Sequence, residues 1–193
     1  MPQARVVSVR SKNPRFNLPR AIARKRGESN FLLAFERAYV RASINRTRIS
    51  WRDFAMAGYG IADILILSWA DSRGGGRTLT LERLKRQRLT AFELKLADWR
   101  SALMQAFRYR YFCDRAIVVL PRAAAHRAVL HLQHFRSLGV GLWSFDISSD
   151  RIRKFHTPRA TPPKNPHARE RAIKLMFRRF QFRKPFKLIK SSR

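Results

Sequence analysis

Three carboxylates in this chain stand where water and neighbouring arginines do not obviously reach them: Glu36, Asp63 and Glu93, the last followed two residues later by Lys95. Glu36 sits on an apolar helical stripe with Leu32, Phe35 and Tyr39, and its i±3 and i±4 neighbours, Leu32, Leu33, Tyr39 and Val40, include no base. An unpaired buried carboxylate is costly, so a metal, another cation or a distant arginine in a tertiary salt bridge should face it. Asp63 interrupts Gly60-Ile61-Ala62-Asp63-Ile64-Leu65-Ile66-Leu67, an apolar run of the kind buried on both faces of a sheet. It could instead cap a neighbouring helix or sit at the exposed start of the strand. Phe92-Glu93-Leu94-Lys95-Leu96 alternates with period two, so Glu93 and Lys95 share one face of a strand. Two carboxylates on adjacent strands are able to hold one hard cation through oxygen ligands.

The elements that must position these groups follow from periodicity. A helix is predicted from Ser29, a suitable N-cap, to about Ala42, then strands near 48–54 and 61–69. Arg73-Gly74-Gly75-Gly76-Arg77 reads as a hairpin tip; lacking a following Lys-Ser/Thr, it is no phosphate-cradling P-loop. Residues 78–89 fit no single period. The 92–96 strand precedes a helix over 98–112, a strand at 116–120, a helix from Pro121 to near Gly139, and a closing strand at 140–146. The order implies an α/β domain with a mixed central sheet flanked by helices.

Charge bounds the partners. The 193 residues carry 42 Lys+Arg against 12 Asp+Glu, a formal charge of +30. Arginine outnumbers lysine 32 to 10, an excess suited to forked recognition of phosphate oxygens. Nucleic acid is the first polyanion to consider and an anionic membrane the second. Residues 1–28 carry +7, residues 29–150 carry +9 and residues 151–193 carry +14. This divides the chain into a basic N-terminal extension, a folded domain over 29–150, and a basic C-terminal segment. The last comprises a Pro-containing linker, an amphipathic helix with Ile173, Met176, Phe177 and Phe180 on its apolar stripe, and a tail. A 45% hydrophobic fraction excludes a purely disordered tail, and a single Cys excludes an intramolecular disulfide. The longest apolar stretch, 54–70, is short and interrupted by Gly58, Gly60 and Asp63, so no membrane span and no membrane partner are expected. His126, His131 and His134 share a predicted helix without an accompanying Cys or acid and are not read as a zinc site; Cys113 reads as a small core residue.

The helix bearing Glu36, the strand with Gly60-Ile61-Ala62-Asp63, and Glu93-Leu94-Lys95 followed by a helix together resemble the PD-(D/E)XK nuclease superfamily over about residues 30–146. Gln105 and Tyr109 in the following helix resemble the QxxxY pattern of RecB-like members, and the helical acid Glu36 resembles that of archaeal Holliday-junction resolvases. Ala62 stands where the family often has Pro, and the 30-residue gap from Asp63 to Glu93 is longer than in compact members.

The resemblance implies a restriction-endonuclease-like αβββαβ core and an Mg²⁺-dependent (or Mn²⁺-dependent) deoxyribonuclease. Asp63 and Glu93 would bind the metal, with Glu36 joining directly or through water. Lys95 would orient the attacking water and stabilise charge in the transition state. Gln105 would touch water at the metal or the DNA backbone, and Tyr109 would steady the same helix face; plain helix packing beside Trp99, Ala102 and Ala106 is the alternative for both. Tyr109, Arg108, Arg178, Arg179, Arg183 and Lys184 are the candidate nucleic-acid contacts. The expected partner is DNA, a homodimer is compatible with the sequence, and the expected location is the cytoplasm, with the nucleoid. The competing reading is a non-catalytic nucleic-acid-binding protein, either a degenerate nuclease fold or a structural RNA-binding protein.

Overall fold

The computed structural model of the chain describes residues 6–9, 26–42, 46–70 and 81–181. Its elements are β1 (Val6–Val9), α1 (Arg26–Arg41), β2 (Arg46–Met56), β3 (Gly60–Ala70), α2 (Leu81–Lys85), β4 (Arg88–Leu94), α3 (Trp99–Tyr109), β5 (Arg115–Leu120), α4 (Arg122–Val129), α5 (Leu132–Ser137), β6 (Val140–Asp146), β7 (Arg151–His156) and α6 (Pro166–Gln181). Strands β2 to β7 form a mixed open sheet in sequential order, and β1 pairs parallel along the β2 edge. Antiparallel pairing runs β2–β3–β4, parallel pairing runs β4–β5–β6, and β7 returns antiparallel beside β6. Each parallel step needs a long crossover, supplied by α3 and then by α4 with α5.

The sheet is covered on both faces. On one, α1 buries Phe31, Leu32, Phe35 and Ala38 against Ile64, Ile66, Phe92, Leu94 and Val119. On the other, Ala102, Leu103, Ala106 and Tyr109 of α3, with residues of α4, α5 and α6, bury Leu65, Leu67, Leu89, Ala91 and Val118. Strand β4 therefore loses water on both sides, which explains its apolar run; Glu93 is the exception that demands a partner. Helix α3 begins where the Asp98 side chain accepts the Ser101 N–H at 3.0 Å, a cap worth about 1 kcal/mol.

Four sequence expectations change. The single helix predicted from Pro121 to Gly139 is two, breaking at Leu130 and His131; the break leaves Leu130 exposed and stacks the His131 ring on Trp99 at 4.8 Å. Residues 81–85 form a short helix, and β4 begins at Arg88, earlier than the alternation at 92 indicated. Strand β6 does not close the sheet. Asp146 accepts hydrogen bonds from Ser148 and Ser149, turning the chain into β7, an edge strand whose exposed Arg151, Arg153 and Lys154 hide its β pattern. The proline-containing segment after β7 is fastened to the domain, since the N–H groups of Thr161, Lys164 and Asn165 donate to the carbonyls of Asp114, Arg110 and Tyr111. Helix α6 then contributes Ala168, Ala172, Ile173 and Met176 to the core beneath α3. The glycine-rich segment 73–77 lies outside the described residues.

Candidate functional site

Regular pairing between β3 and β4 runs from Ser68↔Arg88 to Ile64↔Phe92 and stops there, one position short of Asp63 and Glu93. Beyond that point the two strands part. Main-chain groups that would have continued the ladder need other partners, and side chains of the candidate site supply them. The Lys95 N–H donates across to Val119 of β5, so by alternation the Leu94 N–H faces β3; it donates to Asp63 Oδ2 at 2.6 Å. The carbonyl of Ile61 lies 2.6 Å from the Tyr109 hydroxyl, which also lies 2.7 Å from Glu93 Oε2. Asp63 is thus neither an exposed strand start nor a helix cap. It is 8% exposed, and its carboxylate is wedged into the fork between two strands.

Glu93 is 2% exposed, and its Oε1 lies 3.6 Å from the Lys95 ammonium. Both side chains emerge on the α3 side, as period-two alternation requires. Burial, followed by the charges of Glu93 and then Asp63, holds the Tyr109 hydroxyl far above its ordinary pKa, with Arg108 pulling weakly the other way. Tyr109 is therefore a permanently protonated phenol beside two carboxylates. It is buried beneath α3, which makes it a support for Glu93 and removes it from direct contact with a polyanion.

Glu36 belongs to a different constellation. Its carboxylate accepts the Ser50 hydroxyl at 2.5 Å and pairs with the Arg52 guanidinium. Ser50 and Arg52 pair in register with Ile66 and Ile64, residues buried on the α1 face, whereas Tyr109 approaches Glu93 from the α3 face. The arginine that satisfies Glu36 lies sixteen residues away on β2, beyond the reach of helix-neighbour reasoning. The structure brings together Asp63, Glu93, Lys95 and Tyr109, and holds Glu36 in its own ion pair. Among the described residues, no group of three or more His, Cys, Asp or Glu is arranged to hold a metal ion.

Gln105 lies half-buried one turn before Tyr109 on α3, and Arg108 and Arg178 are exposed. Arg179 falls within α6, but its side chain is outside the described residues, as are Arg183 and Lys184 altogether.

One acid escaped the sequence reading. In β2, Arg52 pairs with Ile64 and Phe54 with Ala62, which sets Asp53 opposite Asp63 at an interruption of the ladder. Asp53 is exposed and has φ 51, a left-handed backbone that non-glycine residues adopt at a cost. The strand changes parity there, so that Ile49 and Trp51 before it and Phe54 and Met56 after it all reach the same core. An acid between Trp51 and Phe54, in a strand whose other charged residues are all arginine, was the available clue.

Comparison with known proteins adds no relative: no family model, curated protein or solved structure matches the chain. Among the described residues, no helix is long and apolar enough to cross a membrane.

Proposed function

We propose that this protein is a metal-dependent nuclease hydrolysing phosphodiester bonds in DNA. The observation that carries the reading is the opening between β3 and β4, where Asp63 and Glu93 are both buried one position past the last paired residues, with the Lys95 ammonium 3.6 Å from Glu93. The chain order α1, β2, β3, β4, α3, β5, with an antiparallel meander followed by one parallel crossover, supports a restriction-endonuclease-like core.

The donor set fits a hard divalent cation. Asp63 and Glu93 offer only oxygen, and Mg²⁺ keeps several waters, so two carboxylates suffice to hold it. Mn²⁺ suits the same ligands. A cation held there would set positive charge against the phosphate and acidify a water.

The remaining work belongs to the chain. The Leu94 N–H fixes the orientation of the Asp63 carboxylate, and the Tyr109 hydroxyl fixes that of Glu93. Lys95 presents its ammonium to the attacking water and to the charge that grows on the phosphoryl oxygens, where a preformed cation is worth most. Gln105, half-buried one turn before Tyr109, reaches the nucleic-acid backbone from the same helix. Glu36 holds α1 to β2 through Arg52 and takes no part in the chemistry.

A non-catalytic nucleic-acid-binding protein is the second reading, favoured by the absence of a three-acid group among the described residues. It leaves unexplained why two carboxylates are buried where the β3–β4 ladder opens, since phosphate binding needs neither. The test is incubation of labelled linear, circular and branched DNA with Mg²⁺, Mn²⁺ or EDTA, wild type against Lys95→Ala. Cleavage that needs the metal and Lys95 supports the nuclease; intact DNA in every lane with binding retained supports the binder.

A further inference from the structure

Helix α3 ends on the buried Tyr109; Phe107 just before it on the helix and Tyr111 in the turn just after it are only half-buried. Phe107 and Tyr111 form an edge-to-face pair with ring centroids 6.3 Å apart. Tyr59, from the turn joining β2 to β3, lies 5.6 Å from Tyr111 with the ring planes 31° apart. All three rings are half-buried. Lys164 sits over two of them, its ammonium 4.2 Å from the Phe107 centroid and 5.7 Å from that of Tyr111. The arrangement is held from behind: the Lys164 and Asn165 N–H groups donate to Arg110 and Tyr111, and the Asn165 amide donates to the Tyr59 hydroxyl at 3.0 Å. Arg171 bonds the Ala57 carbonyl in the same turn, and Arg108 and Lys174 are exposed on the adjoining helices.

We propose that Tyr59, Phe107 and Tyr111, rimmed by Lys164, Arg108 and Arg171, form a stacking platform for unpaired bases, and that the partner it selects is single-stranded nucleic acid. Fixed cations attract any polyanion through its phosphates. Partly exposed rings set among them add something a duplex cannot use, because its base faces are already stacked on one another. Lysine carries its charge on a flexible stem, so Lys164 moves from the ring face to a phosphate as a base arrives. The platform is built around the C-terminal end of α3, the helix that secures Glu93, so strand recognition and the carboxylate site share one element. The inference rests on the nucleic-acid partner of the proposed function and not on cleavage.

The test is fluorescence anisotropy of the full chain in EDTA with labelled oligothymidylate, the same-length abasic oligomer, and a duplex. The platform predicts that the single strand binds about tenfold tighter than the abasic oligomer at equal salt. It also predicts that Tyr111→Leu and Phe107→Leu remove most of that difference while duplex binding stays within twofold. Equal binding of thymidylate and abasic oligomers by the unaltered protein overturns the platform without recourse to any variant. Leucine variants that keep the wild-type preference overturn it as well. No binding to any oligomer sinks the nucleic-acid reading itself, whereas cleavage, absent in EDTA, has no bearing on the result.

Discussion

The Tyr109 hydroxyl lies 2.7 Å from Glu93 Oε2 and 2.6 Å from the carbonyl of Ile61, tying a helix to both strands at the point where their ladder opens. Tyr109→Phe removes one oxygen and no packing volume. It removes the one proton that the buried Glu93 carboxylate and the Ile61 carbonyl compete for, so urea unfolding should show a loss of about 2 kcal/mol. Cleavage should fall mainly through kcat, with KM for DNA nearly unchanged, because the phenol does not meet the substrate.

Glu36 and Glu93 are both buried acids, but they should respond differently to the same change. Glu36→Gln keeps hydrogen bonds to Ser50 and Arg52 and should retain cleavage within a few-fold. Glu36→Ala strips Arg52 of its partner and should cost about 2 kcal/mol in stability, less than a fully buried pair because Arg52 is 22% exposed. Glu93→Gln should abolish cleavage and leave the unfolding midpoint nearly unchanged. Loss of activity in Glu36→Gln with normal stability would return Glu36 to the metal site.

Helix α6 should prove structural despite its charge. Arg169 pairs with Asp114 at 2.7 Å, Asp114 also accepts the Leu89 N–H at the start of β4, and Ala168, Ala172, Ile173 and Met176 are buried. Removing residues 166–193 takes that apolar stripe away and uncovers the core it packs on, and the truncated chain should lose its cooperative unfolding transition in circular dichroism. A truncated domain that unfolds as sharply as the full chain would show the helix to be an appendage.

Cys113 is fully enclosed, and burial pushes its thiol from 9.0 up to about 12. In the native protein it should resist thiol reagents at pH 8 and react fully once urea unfolds the chain. Its raised value favours the folded state at neutral pH. That contribution diminishes as pH climbs from about 9 towards 12, because the unfolded thiol ionises first. Rapid labelling of the native chain at pH 8 would contradict the burial.

Asp53 holds a left-handed backbone in the middle of β2. Asp53→Gly should therefore raise the unfolding free energy by about 1 kcal/mol and Asp53→Ala should lower it, both read from urea midpoints.

The groups the sequence made legible are those set by local periodicity. Alternation placed Glu93 and Lys95 on one face, and the apolar run around Asp63 marked a buried strand. Pairings between distant elements were not readable. Nothing near Glu36 announces Arg52, and only the end of the β3–β4 ladder explains why Asp63 takes the Leu94 N–H. Charge was a poor guide to the boundary at residue 150. Arg151, Arg153 and Lys154 are basic because β7 is an exposed edge, and α6, basic as it is, buries Ala168, Ala172, Ile173 and Met176 and turns Arg169 to Asp114 of the domain. Tyr109 stands out by its spacing from Gln105, but spacing alone does not say that it points at Glu93.

The most direct measurement counts Mn²⁺ bound to the full chain by electron paramagnetic resonance, for wild type, Asp63→Asn, Glu93→Gln and Glu36→Gln. The account predicts one Mn²⁺ site that either substitution in the β3–β4 fork weakens at least tenfold and that Glu36→Gln leaves intact. Mn²⁺ binding unaffected by changes at Asp63 and Glu93, or no binding by the wild type with or without DNA, would contradict it.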